Sequence, residues 1–190
     1  HYTGLSYKAH GRVFAYQEWG STKQNYETMN NIELPEEFKE PKKWVSVLIP
    51  SYNTKHVYIV DCLNSIRAQD GHFGIEIVWI NDGSNELNTT LLERELEKFK
   101  KSTRFVKIVY KKMEENKGIT ACLNIGLQLC SNELILRMDS DDIMDIVRIK
   151  TQIEFMEKNP SCVLCGSNVV FFENLNNEKK IKGNTSHPTK

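Results

Sequence analysis

No stretch of this chain approaches the roughly 20 apolar residues that a transmembrane helix needs, and no secretory apolar segment opens it. Neither sign of charge is in excess. The 25 Lys and Arg residues balance 25 Asp and Glu, which argues against general binding to nucleic acid or acidic membranes. Cysteine is sparse and irregular: five residues (Cys62, Cys122, Cys130, Cys162 and Cys165) in no regular spacing. Cys162 and Cys165 form a lone C-x-x-C, without the second pair or nearby His that a zinc site needs. Reduced core thiols in an intracellular, cytoplasmic setting are therefore expected. Two nucleotide loops are also missing. Neither G-x-x-x-x-G-K-[ST] nor G-x-G-x-x-G occurs, so a bound nucleotide has to be held in another way. The chain opens on His1 rather than Met, as a trimmed or tagged chain would.

What is present is an alternation of two periodicities. Residues 1–43 read as an N-terminal extension and connector, with "GRVFAYQEWGS" as a strand or hairpin and "NNIELPEEFKEPKKW" as a proline-punctuated link. From Trp44 the pattern is regular. "WVSVLIP", "IEIVWIND", "RFVKIVYKK" and "NELILRMD" are β-rich runs. Between and after them lie the helical segments "HVYIVDCLNSIRAQ", "NELNTTLLERELEKFKKS", "GITACLNIGLQLC" and "IVRIKTQIEFMEKNP". "CVLCGSNVVFF" reads as a fifth, buried strand, and residues 176–190 as a poorly ordered polar tail. Strands alternating with helices of this length predict an α/β fold: a mostly parallel, Rossmann-like sheet with helices on both faces, over 44–175.

Polar clusters follow the strands. After the first come Pro50, Ser51, Tyr52 and Asn53; after the second, Asn81, Asp82, Gly83 and Ser84. After the third come Asn116, Lys117 and Gly118; after the fourth, Asp139, Ser140, Asp141 and Asp142. Open α/β sheets bind ligands beyond the carboxyl ends of their strands, so four clusters on one rim suggest one site. Taken singly, most have a plainer reading. "NDGS" is a good turn, Gly118 a helix-start glycine, Lys117 a solvated charge and Asp142 a helix cap. Asp139 and Asp141 are harder to dismiss. On an extended segment residues i and i+2 point the same way, so their carboxylates would face one side together. Paired oxygen ligands suit Mg²⁺ or Mn²⁺, which complete their shells with water and substrate phosphates. A calcium-binding loop is excluded, because Met144 and Lys150 stand where its Gly and Glu belong.

In order and spacing, "VSVLIPSYN", "LNSIRAQ", "IEIVWINDGS", "ENKGITACLNIGL", "LILRMDSDD" and "RIKTQIEFMEKNP" resemble the family 2 glycosyltransferases. The resemblance covers residues 44 to about 170 and implies the nucleotide-sugar-binding GT-A fold. It implies that Tyr52, with Pro50, Ser51 and Asn53 beside it, lines a base pocket and that Asp82 accepts from the base. It implies that Lys117 and Gly118 lie near the ribose or diphosphate. Asp139 and Asp141 would form a D-x-D motif with Ser140 between them: Asp139 towards ribose and metal, Asp141 on the metal. The implied activity is metal-dependent, inverting transfer of a sugar from a UDP-sugar to an acceptor hydroxyl on a glycan, protein or small molecule, using Mn²⁺ or Mg²⁺.

Three positions depart from the family pattern. Ile146 and Val147 precede Arg148 where Pro-Asp is usual, and Cys122 stands where a basic residue is common. The catalytic base is expected beyond residue 190, since "SHPTK" resembles the start of the acceptor-side segment; Asp142, Asp145 and Glu173 are the first carboxylates to test otherwise. The main competing reading is a non-catalytic nucleotide-sugar-binding module serving a partner domain. A nucleotidyltransferase is disfavoured, because no glycine-rich, arginine-bearing N-terminal loop is present.

Overall fold

A computed structural model describes residues 3–9, 12–18, 39–175 and 178–185. The backbone falls into two compact units, residues 1–39 and residues 40–190. In the first, β1 (Thr3–Ala9) and β2 (Arg12–Glu18) pair antiparallel, from Thr3 opposite Glu18 to Ala9 opposite Arg12. Most of the expected connector lies outside the described residues.

The second unit is built on four parallel strands: β3 (Trp44–Ser51), β4 (Gly74–Asn81), β5 (Val106–Lys112) and β6 (Ile135–Arg137). The helices between and after them are α1 (His56–Arg67), α2 (Glu86–Ser102), α3 (Ile119–Leu129) and α4 (Arg148–Lys158). Spatial order in the sheet is β5-β4-β3-β6. The chain steps outward from β3 to β5, then crosses back to pair β6 with the free side of β3. Right-handed crossovers put the helices of outward steps on one face and the helix of the return step on the other. The core divides in that way. Val45, Val47, Ile49, Ile77 and Trp79 pack with Ile59, Leu63 and Ile66 of α1, Leu92, Leu96 and Phe99 of α2, and Ile149 of α4. Leu48, Val78 and Ile80 point the opposite way, towards Cys122 of α3. Both faces of β4 are buried along its whole length, which is why the run reads as continuous rather than alternating. The fold is the expected α/β type.

Two expectations are corrected. Residues 162–169 carry no regular structure, and Val163 and Leu164 are 94% and 85% exposed, so "CVLCGSNVVFF" is not a buried fifth strand. β propensity yields a strand only where a neighbour accepts its ladder. Here only the end of the run, Val170–Leu175 (β7), finds one, in Glu178–Asn184 (β8). The second correction follows, since residues 178–184 of the polar tail are that hairpin partner. Phe172 lies opposite Ile181 across it, with a register shift between Phe171 and Phe172. "SHPTK" runs through residues outside those described. The cysteines are free, with Cys62 and Cys122 buried and Cys162 and Cys165 half-buried rather than in the core. Among the described residues no helix is long and apolar enough to cross a membrane.

Candidate active site

The change of direction between β3 and β6 opens a crevice beyond the carboxyl ends of the strands, where such sheets bind ligands. A cleft of about 440 Å³ lies there. Every residue expected at the donor site except Lys117 lines it: Pro50, Ser51, Tyr52 and Asn53, then Asp82 and Gly118, then Asp139, Ser140 and Asp141. Thr54, Lys55, Tyr58, Asn116, Ile119 and Cys122 complete the lining. Of these, the sequence points to Asn116 on the rim and Cys122 as a departure, but not to Thr54, Lys55, Tyr58 or Ile119. Lys55 is the extended N-cap of α1 and Tyr58 lies in its first turn, and neither belongs to a motif that singles it out.

One side of the cleft is fixed by loop-to-loop hydrogen bonds. Ser51 is buried and its Oγ accepts from Trp79 Nε1 at 2.8 Å, while its carbonyl accepts from the Asp82 N–H at 2.8 Å. Asn53, at φ 50, donates its N–H to Ser84 Oγ and accepts from the Asn85 N–H on its Oδ1, both at 2.9 Å. Its side chain therefore ties the turn after β3 to the turn after β4. Tyr52, by contrast, is 53% exposed and lines the cleft.

Asp82 joins two further loops. Its Oδ1 accepts from the Lys117 N–H at 2.8 Å and its Oδ2 from the Gly118 N–H at 2.9 Å. Gly118 is the N-cap of α3 at φ 83, so the expectation of a helix-start glycine holds together with its place in the lining. Gly83, at φ 69, is required for a second reason: a Cβ there would meet the Glu115 carbonyl carbon at 2.5 Å. The side chain of Lys117 points elsewhere, with its Nζ 4.0 Å from Glu115. Beneath Asp82, burial pushes the Cys122 thiol up to about 11, helped by its hydrogen bond to that carboxylate.

The acidic segment is not extended. Asp142 N–H donates to the Asp139 carbonyl at 3.2 Å, closing a turn, so Asp139 and Asp141 share the cleft through a bend rather than through strand alternation. Ser140 is buried between them and its hydroxyl shares a 2.7 Å hydrogen bond with Thr54. Asp139 Oδ1 accepts from Arg137 Nη2 at 2.7 Å. Partial desolvation, then the neighbouring carboxylates Asp139 and Asp141, hold the Asp142 carboxyl above its ordinary range. Asp142 does not cap the following helix; the N-cap is Val147, and Asp145 accepts its N–H at 3.0 Å. Ser65 of α1 and Gln69, just beyond the end of that helix, pin the loop. Ser65 Oγ accepts from the Met144 N–H at 3.0 Å, and Gln69 donates to the Asp145 carbonyl at 2.6 Å while accepting from the Ile149 N–H at 3.1 Å.

Among the described residues no group of three or more His, Cys, Asp or Glu side chains could enclose a metal ion. The two acidic-turn carboxylates that line the open cleft are Asp139 and Asp141. That fits Mg²⁺ or Mn²⁺, which bind through one or two carboxylates and take the remaining oxygens from water and phosphate.

Residues 46–189 match the glycosyl transferase family 2 profile. The chain belongs to that family. Among family 2 relatives, the amylovoran biosynthesis glycosyltransferase AmsE of Erwinia amylovora is 33% identical over 137 residues, which is 70% of this chain and 48% of AmsE. The Escherichia coli protein named UDP-Gal:alpha-D-GlcNAc-diphosphoundecaprenol beta-1,3-galactosyltransferase is 34% identical over 100 residues, 52% of this chain and 34% of that protein. In fold, the S. aureus TarS 1–349 structure in complex with UDP superposes with a TM-score of 0.52 at 28% identity, over 62% of this chain and 33% of TarS. A TarS complex with UDP-GlcNAc gives 0.51 at 25% identity, over 62% and 32%. The sheet is thus of the GT-A type. The chain spans less than half the length of each of these relatives.

Proposed function

We propose that residues 44–175 form the donor-binding domain of a metal-dependent, inverting glycosyltransferase that uses a UDP-sugar. The observation that carries this reading is the convergence of Tyr52, Asp82, Asp139 and Asp141 on one cleft at the switch point of a family 2 sheet. Structural neighbours solved with UDP and with UDP-GlcNAc support the donor class. Tyr52 offers an exposed ring on which a flat base can stack. Each Asp82 oxygen accepts one backbone N–H, which leaves lone pairs for a base imide N–H. The opposite wall, Asp139 to Asp141, takes the diphosphate end. Asp139 and Asp141 would hold a divalent cation, which would supply Lewis-acid neutralisation of the departing diphosphate. The acceptor hydroxyl attacks the anomeric carbon as the bond to the diphosphate breaks, and its proton passes to a carboxylate base.

A competition titration of UDP against GDP tests the donor class. A site built around one specific polar contact rejects bases that leave it unpaired, so UDP should bind at least about tenfold more tightly, or ~1.4 kcal/mol. Equal affinity for the two nucleotides would remove the uridine assignment. A screen of UDP-sugars with Mn²⁺, reading hydrolysis of each, identifies the sugar.

A further inference from the structure

Arg137 stands beside the donor cleft without lining it. It ends β6, and its Nη2 donates to Asp139 Oδ1 at 2.7 Å. Both side chains are about half exposed, at 53% and 41%. Arg148 reaches from α4 to donate its Nη2 to the Arg137 carbonyl at 3.0 Å, which fixes the backbone from which Arg137 projects. One of the two carboxylates assigned to a divalent cation therefore already carries a monovalent one. Its partner Asp141 has no such ion pair among the described residues.

We propose that Arg137 is a positioning residue of the metal site, an internal counter-ion of Asp139 that makes tight metal binding depend on the nucleotide diphosphate. The inference rests on the donor-site reading given above. Without nucleotide, an incoming divalent cation meets a guanidinium on the oxygen it needs, and it has to displace or approach a like charge. A diphosphate changes both terms. It adds oxygen ligands and negative charge for the cation, and it offers the planar guanidinium a better partner than a single carboxylate oxygen. Asp139 is then released to the metal. Bare metal is held weakly, and metal with nucleotide is held well. The order of affinities follows from one hydrogen bond.

Electron paramagnetic resonance of free Mn²⁺ reads this directly, on the wild type and Arg137→Gln, each with and without saturating UDP. Without UDP, Arg137→Gln should bind Mn²⁺ about fivefold more tightly, the factor matching the ~1 kcal/mol that an exposed ion pair can contribute. The further tightening on adding UDP should be smaller in the variant than in the wild type. Arg137→Lys keeps the charge and should remain near the wild type, which separates loss of the cation from loss of a side chain. A purely structural role for Arg137 would give weaker Mn²⁺ binding in Arg137→Gln. If the wild type binds Mn²⁺ with UDP but Arg137→Gln without UDP is unchanged or weaker, the counter-ion role is wrong and the donor site stands. If the wild type fails to bind Mn²⁺ even with UDP, the donor-site reading falls and this inference with it.

Discussion

Both oxygens of Asp82 are engaged before any ligand arrives, one by the Lys117 N–H and one by the Gly118 N–H. Asp82→Asn keeps the shape but presents an NH₂ to one of those donors, so one bond is lost and a donor–donor contact replaces it. The cost should be about 2 kcal/mol, since hydrogen bonds to a charged group are the stronger kind. Thermal melting should fall by roughly 4–8 °C for a chain of this size; an unchanged midpoint would show that the latch contributes nothing. Glu95 gives a pH-dependent counterpart. The Lys98 ammonium, and beyond it His56, hold this buried carboxyl at about 2 despite the opposing effect of burial. Its pKa is depressed on folding, so its stabilisation is present above the ordinary value of 4.5 and is lost as pH falls towards 2. Glu95→Gln should cost roughly 1–2 kcal/mol at pH 7, allowing for the exposure of its partners. Denaturant melts at several pH values should show that difference closing below pH ~4.5. A constant difference down to pH 2 would contradict the assigned partners. Not every such residue was visible in the chain. Glu76, an acid within the apolar run of β4, is buried. Burial alone would raise its pKa, but hydrogen bonds from the Ser131 N–H and hydroxyl and from Ser46 hold it below the ordinary range.

The acidic loop shows how elements set what residues can do. Asp139 to Val147 has no helix or strand of its own, and its shape is imposed by Ser65 of α1 and by Gln69 and Asp70 just beyond that helix. Gln69 touches no part of the cleft lining, but its amide bridges the Asp145 carbonyl and the Ile149 N–H. Gln69→Ala should therefore destabilise the chain by about 1–2 kcal/mol and weaken nucleotide binding indirectly. Hydrogen exchange should accelerate at the Ile149 amide, while the amides of β4 keep their protection. Unchanged exchange at Ile149 would mean that the loop holds itself. Elements with a strong period were legible: β3, β4 and β5 and the four helices fall close to where apolar spacing puts them. Misread segments were those whose structure depends on distant partners. "CVLCGSNVVFF" has strand composition but lacks a neighbour for most of its length, and the "polar tail" becomes β8 because β7 is there to pair with it. The turn at Asp139 to Asp142 was legible only in part: Asp and Ser favour turns, but the strand before them suggests an extended segment.

At the scale of the whole molecule, strand order assembles the site. Crossing from β5 back to the free side of β3 brings the acidic turn after β6 opposite Tyr52 and Asp82, residues far away in the chain. The rim could be read from the sequence because each cluster follows a strand, and parallel strands present their carboxyl ends together. Side-chain direction could not be read. Lys117 belongs to a rim cluster, yet it contributes a backbone N–H to Asp82 and turns its ammonium towards Glu115. In the proposed donor mode, one wall of this cleft binds a diphosphate through metal held by Asp139 and Asp141. Calorimetry of UDP binding, with Mn²⁺ and then with chelator, tests it most directly. UDP should bind at least about tenfold more tightly with Mn²⁺, a difference of ~1.4 kcal/mol, and Asp141→Ala should abolish most of that gain. Equal UDP affinity with and without the metal would contradict the assignment.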